Sequence, residues 1–411
     1  MKLKGSLLKT AVLALVFALF LLPVGAVKGD VDQGAAVAAT NAADGTAGDA
    51  VETAGKAASE QKKVISLTLE ESIKMAVEKH PDIAVAKIEH EQARADLRKA
   101  RRDAKDINDL RKMPGMPGLY SYDVYLAERV LPKTMEMLEV LSDKGLEFRT
   151  NLVKFQVENA YYGVLKAERE LQNSIDSLSR AREQLRLAKV GLDVGVNAQV
   201  DVLGAEVLAA SQELAVTFAK NALQQARMDF NNLIGLALDD EVKLTSSFSF
   251  APVEFNLDEI KEMAKEKDIT YIQLHESYKV QTEAFNLAKG YYTPNVYTYQ
   301  EAERDYNMAK LKLQNADQEL DLKIRKAYLN TEAAKERYKL MEKSVEQARE
   351  SYRLTKLRHE VGMATLLDIE RASGELDNAK TELLSAIYDY NLAAAMLQHG
   401  LFDLGGMSNG R

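Results

Sequence analysis

Five histidines are the first residues to weigh for chemistry, and they stand apart at His80, His90, His275, His359 and His399. His90-Glu91 and His275-Glu276 begin like the zinc-binding helices of metalloproteases, where a second histidine four residues after the first completes a ligand pair on one face. Arg94 and Lys279 occupy those places, so neither pair can hold a metal and both read as solvated helix positions. The chain has no cysteine, which removes thiol nucleophiles, thiolate metal sites, disulfides and a lipid-attachment residue. Phosphate-cradling glycine loops, dinucleotide turns and a nucleophilic serine elbow are absent too. The abundant carboxylates fall at helical spacing to lysines and arginines, where they form ion pairs rather than acid–base dyads. The sequence thus predicts no catalytic, metal or cofactor-binding residue, no cofactor, and a protein that is not an enzyme.

Two turns and two aromatic stretches remain. Val194-Gly195 and Val361-Gly362 each follow a long apolar-periodic run, and glycine at such a place ends a helix in the left-handed conformation. Asp201 and Asp368 fall in or near the first turn of the next helix, where a carboxylate complements the helix dipole, and Thr365-Leu-Leu-Asp368 has capping-box spacing. GLYSYDVYL (118–126) and YYTPNVYTY (291–299) hold seven of the 17 tyrosines. These rings either cap the open end of a helical bundle or sit in a lipid headgroup layer, with Tyr120, Tyr122, Tyr125, Tyr297 and Tyr299 as the membrane-interface candidates.

The elements that position these residues are long helices. The chain of 411 residues has 7 prolines, no tryptophan and 28% charged residues, the composition of solvated helical rods. Its net charge of −8, with both signs interleaved, excludes a nucleic-acid partner. Sliding the chain against itself by 167 positions aligns Ala160-Tyr161 with Ala327-Tyr328, Ala181-Arg-Glu183 with Ala348-Arg-Glu350, Val194-Gly195 with Val361-Gly362, and Asp201 with Asp368. In the second copy, apolar residues recur at alternating steps of three and four from position 302 to 352, interrupted near Lys323 and with Thr331 as a polar exception. Helices are predicted near 68–106, 121–193, 198–235, 255–290, 298–360 and 365–400, with capping boxes at Thr68–Glu71 and Asn256–Glu259. The fold class is all-α: elongated antiparallel coiled-coil hairpins in two tandem repeats, with little or no β. Each short pair should lie end to end beside one long helix, giving an open slab four helices wide that oligomerises to cover its seams.

The domain reading follows. Residues 1–26 are a secretory signal, with Lys2, Lys4 and Lys9 ahead of the apolar run Ala11 to Leu22 and small residues at Val24-Gly25-Ala26. An uncleaved anchor is the alternative, although that run is short for a span. No later segment reads as apolar enough to cross a membrane as a helix. Residues 27–66 are a disordered tether, 67–236 the first helical repeat, 237–254 a linker, 255–402 the second repeat and 403–411 a flexible tail.

The opening LTLEESIKMAVEKHPDIAVAK, the AYY helix entry, NNLIGL at 231–236, and the segments RLAKVGLDVGVNAQVDVLGAE and RLTKLRHEVGMATLLDIERAS together resemble the outer-membrane efflux (TolC-like) family over about 67–402. The resemblance implies a homotrimeric α-barrel tunnel in the cell envelope, outer-membrane-associated or periplasmic. It also implies export together with a periplasmic adaptor, docked at Val194, Gly195, Val361 and Gly362, and an inner-membrane transporter. It further makes Asp201, Asp368 and Arg371 pore-constriction candidates. Ala364 stands where the family's gate carries an arginine and Arg371 where it carries a second aspartate, which would give a ring of mixed sign. One departure is large: the family inserts membrane-crossing strands where this chain has only Asp106 to Val124 and Gly290 to Thr298, too few residues for a crossing hairpin. The family's usual Pro-Leu-Phe-Gly-Gly stretch is also missing. The alternative is therefore a barrel-less periplasmic coiled-coil spacer or adaptor, with membrane-surface contact possible at the tyrosine-rich end.

Overall fold

A computed structural model describes residues 65–113, 117–246 and 248–402; the expected leader, most of the tether and the tail lie outside them. The described residues open with strand β1 (Ile65–Leu67) and helix α1 (Leu69–Lys79). Thr68 caps α1 with its hydroxyl on the Glu71 N–H (3.2 Å), while the Glu71 carboxylate accepts the Thr68 N–H (2.8 Å). This is the reciprocal box expected from the sequence.

Where one helix was expected over 68–106, there are two, because α2 (Pro81–Arg111) starts afresh after His80. A residue before proline is pushed out of the α region, and His80 is extended (ψ 126°) with its imidazole accepting the Asp82 N–H at 3.3 Å. Proline at the first helical position loses nothing, since that N–H has no intrahelical partner. The second repeat breaks at the equivalent place without a proline: α5 (Leu257–Lys267) and α6 (Ile269–Tyr291) meet at Asp268, whose carboxylate takes the Tyr271 N–H at 2.7 Å. The box expected at Asn256 closes only in part, because Glu259 is met by the Asn256 side-chain amide (3.2 Å) instead of the backbone.

A helical turn (Tyr122–Tyr125) and a π turn (Leu126–Val130) lead into α3 (Leu131–Asp193), which returns through a tight turn to α4 (Gln199–Ile234). In the second repeat α7 (Tyr297–Glu360) turns into α8 (Leu366–His399). The two central helices hold 63 and 64 residues, so each runs about 95 Å. α2 and α4 pack along opposite halves of α3, α6 and α8 do the same along α7, and α3 also packs on α8 and α6. The order across the slab is therefore the α2/α4 column, α3, the α6/α8 column, then α7. α7 and the α2/α4 column are its two free edges.

The core concentrates at mid-height, where the short helices abut. Val153, Val157, Tyr161 and Val164 of α3 close on Ala76 and Ile83 from above and on Phe230 and Ile234 from below. The second repeat repeats the plan with Leu320 and Ile324 against Ala264 and Leu397. Ile324, at 1% exposure, fills the place where Lys323 interrupts the heptads. Phe155 with Ala395 and Leu401 joins the repeats. Among the described residues β1 pairs only with β2 (Val242–Leu244), in parallel, with Ile65 opposite Val242, so Ile65 and Ser66, at the end of the expected tether, stand in a strand. The Tyr161 hydroxyl ties this ribbon to α3, donating to the Leu67 carbonyl (3.3 Å) and accepting the Ser246 N–H (3.0 Å).

One expectation is corrected. α4 is long and apolar enough, by length and composition, to cross a membrane. Between Val202 and Ala219 only Glu206 and Glu213 carry charge. The apolarity comes from the Ala, Val and Leu of a coiled-coil helix that packs along α3.

Candidate functional site

The lower end of the slab is formed by the two tip turns. At the first, Gly195 (φ 74°) lets its own N–H reach the Leu192 carbonyl (3.0 Å) and the Val196 N–H reach Gly191 (2.8 Å). Gly362 (φ 76°) makes the same pair, to His359 (2.9 Å) and, through Met363, to Arg358 (2.7 Å). These bonds satisfy the last carbonyls of α3 and α7. Val194, Val196, Val361 and Met363 consequently project from the tips at 68–80% exposure.

The tips differ on their second side. At the first, Asn197 folds back and donates to the Ala188 carbonyl (3.2 Å), crossing Gly191 so closely that a Cβ there would lie 2.2 Å from its amide nitrogen. At the second, Ala364 stands in place of Asn197, and Thr365 with Asp368 forms a complete capping box (Thr365 N–H to Asp368 2.8 Å, Asp368 N–H to Thr365 3.2 Å). The Gly191–Asn197 lock was missed from the sequence; a small residue one turn before the cap glycine was its only trace.

Asp201 and Asp368, the expected constriction residues, both spend a carboxylate oxygen on backbone at their own turn; Asp201 accepts the Ala198 N–H at 2.8 Å. Hydrogen bonds from Thr365, backbone first and hydroxyl second, hold the Asp368 carboxyl below its ordinary value, and Arg371 adds to the effect. A carboxyl whose pKa falls on folding stabilises the fold above the ordinary aspartate range and loses that stabilisation as pH drops through its lowered value. Hydrogen exchange, normalised to intrinsic rates, should therefore show the first turn of α8 losing protection below about pH 4. Asp368→Asn should remove that dependence.

Above the tips, α3 and α8 are cross-linked by a half-buried polar group that sequence reasoning also missed. Arg180 pairs with Asp377 and donates to Ser373 (3.1 Å), and Ser177 donates to Asp377 (2.8 Å). Its residues sit 200 positions apart or nearly so, and no local spacing announces it.

At the opposite end the two hairpins are joined by tyrosines. Tyr122 packs on Tyr291 (5.6 Å between centroids) and Tyr292 (5.0 Å), and Tyr125 on Tyr291 (6.2 Å). Arg111, paired with Glu128, lies over Tyr125 at 4.3 Å, and the Tyr291 hydroxyl donates to the Tyr120 carbonyl at 3.0 Å. Burial, with a smaller contribution from Tyr292, pushes the Tyr122 phenol up to about 12. Tyr299 packs on Phe285 (5.5 Å), while Tyr120 and Tyr297 remain 52% and 67% exposed. The expected tyrosines thus divide: Tyr122 and Tyr125 are clasp residues, with Tyr291, Tyr292 and Arg111 as partners not singled out from sequence, whereas Tyr120 and Tyr297 face outward. The connections here span only 112–121 and 292–296, shorter still than expected, and no described residue in either is a strand.

Two segments, 149–236 and 295–401, match the sequence model of the family described as Outer membrane efflux protein. They hold both tip turns and both lower hairpins. The chain belongs to the outer membrane efflux protein family. Its fold is that of solved family channels. The Vibrio cholerae outer membrane protein VceC superposes with a TM-score of 0.58 at 14% identity, covering 81% of this chain and 95% of that one. The Campylobacter jejuni CmeC outer membrane channel gives 0.57 at 16% identity, covering 88% and 93%. The Neisseria gonorrhoeae MtrE outer membrane channel, solved in its open state, gives 0.57 at 16% identity, covering 81% and 88%. No curated protein matches the chain. As a member of the outer membrane efflux protein family it is a cell-envelope protein and not an enzyme, and no described residue of its two upper connections lies in a membrane-crossing strand.

Proposed function

We propose that copies of this chain close into a homotrimeric helical tunnel that exports solutes or proteins across the envelope. The tip residues Val194, Gly195, Val361 and Gly362 dock a periplasmic adaptor that couples the tunnel to an inner-membrane transporter. The observation that carries this reading is the pair of uncovered apolar seams on the two free edges of the slab. On the α2/α4 edge Ile88, Val200, Val207, Leu214 and Phe218 are 55–70% exposed. On the α7 edge Leu311, Leu322, Leu329 and Leu340 are 52–64% exposed. Apolar stripes this long on opposite edges of one subunit suit a head-to-tail interface, and such an interface gives a ring when the rotation between copies closes. In such a ring Asp201, Asp368 and Arg371 stand near the mouth and are the candidates for its narrowest point.

A second reading is favoured by an upper end in which no described residue forms a strand: a periplasmic coiled-coil spacer or adaptor that keeps the helical hairpins without transport. The two separate on a dye-retention measurement. Cells deprived of the chain should accumulate an exported dye such as ethidium several-fold above the parent, and the wild-type chain should reverse this. Unchanged accumulation with altered envelope spacing would overturn the channel reading in favour of the spacer.

A further inference from the structure

We propose that the tyrosine-clasped end of the slab rests in the headgroup layer of a lipid bilayer without crossing it. Crossing is ruled out locally by length: connections over 112–121 and 292–296 cannot supply two spans of the ~9–11 residues that a tilted membrane strand needs. The end is nevertheless not finished like a solvated helix terminus. Met113, Tyr120, Tyr291 and Tyr297 are 43–67% exposed there, within or beside the ring cluster that seals the hairpins.

Tyrosine is the aromatic whose ring favours the acyl boundary while its hydroxyl stays wet. Three cations around the rings are paired within the chain, Arg111 with Glu128, Lys112 with Asp109 (3.0 Å) and Arg129 with Glu283 (2.8 Å), and a fourth, Arg304, lies over the Tyr297 ring at 5.6 Å. An end with rings outward and these three cations paired gains from the interfacial layer, and the paired groups add little desolvation of bare charge. With those three cations paired, attachment does not depend on anionic lipid. The clasp supplies the rigidity, since Tyr122, Tyr125 and Tyr292 are held half-buried and keep Tyr120 and Tyr297 presented on the same end.

The inference stands apart from the tunnel reading and uses none of its residues. Its test is flotation of the chain from Val27 onward, which contains every described element, with protein-free vesicles of phosphatidylcholine and of phosphatidylcholine with phosphatidylglycerol. The chain should float with both, little affected by high salt, and alkaline carbonate should release it. Tyr120→Ser with Tyr297→Ser, which leaves Tyr122, Tyr125, Tyr291 and Tyr292 in place, should lower the bound fraction roughly tenfold at unchanged helicity by circular dichroism. The proposal is overturned if the wild-type chain stays behind on both lipids, if the double variant floats as well as wild type, or if carbonate fails to strip it. Capture by native outer membranes but not by lipid alone overturns it too, and assigns the end to a protein partner.

Discussion

Tyr161→Ala is expected to destabilise the chain by about 3–5 kcal/mol, the range for truncating a fully buried aromatic. Tyr161 is 0% exposed, stacks edge-on against Phe230 (5.8 Å), and sits where α1, α2 and α4 all close on α3. Its hydroxyl is the tie between the parallel ribbon and the central helix, so the loss is not of packing alone. Tyr161→Phe separates the contributions: the ring stays, but the Leu67 carbonyl and Ser246 N–H lose a shared partner, which should cost about 1–3 kcal/mol. Urea unfolding followed by circular dichroism reads both, as a lowered midpoint at unchanged slope. Equal midpoints for wild type and Tyr161→Ala would mean that the mid-height core does not organise the first repeat.

The second large effect concerns assembly. Phe218→Glu with Leu340→Glu should leave the monomer's helicity intact and abolish its oligomer. Phe218 lies about 20 residues above the tip on one free edge and Leu340 about 20 above it on the other, roughly 30 Å in each case. In a head-to-tail ring they therefore face each other across the seam at equal height. Each lost apolar contact removes ~1.5–3 kcal/mol, and two like charges then meet at the interface. The association constant per interface should fall by roughly a hundredfold or more. Because both side chains are exposed in the single chain, at 63% and 60%, neither change places a charge in a buried core. Light scattering of the variant should report the mass of one chain.

The helical architecture was legible because it is periodic and duplicated. The three-four rhythm over 302–352 located α7, and the 167-residue offset located its twin α3. The tip glycines were legible because only glycine settles comfortably at φ near 75°. What escaped detection depends on partners distant in sequence. Residues Ile65 and Ser66 look like tether until Val242 and Lys243 arrive alongside them, 177 positions later. The break at Asp268 carries no proline to announce it, and the Arg180–Asp377 link joins helices that only the slab brings together. The tyrosines were visible as a composition bias, but not their division into clasp and exposed rim, which depends on Arg111 and on Tyr291 reaching the other hairpin.

The claim on which the account turns is that the α4 edge of one copy seats against the α7 edge of the next and that the series closes. The chain has no cysteine, so Phe218→Cys with Leu340→Cys introduces the only thiols, too far apart across the slab to join within one copy. Mild oxidation followed by denaturing electrophoresis should give one, two and three chains linked and then stop. Bands of single chains alone, or a ladder climbing past three, would contradict the closed ring.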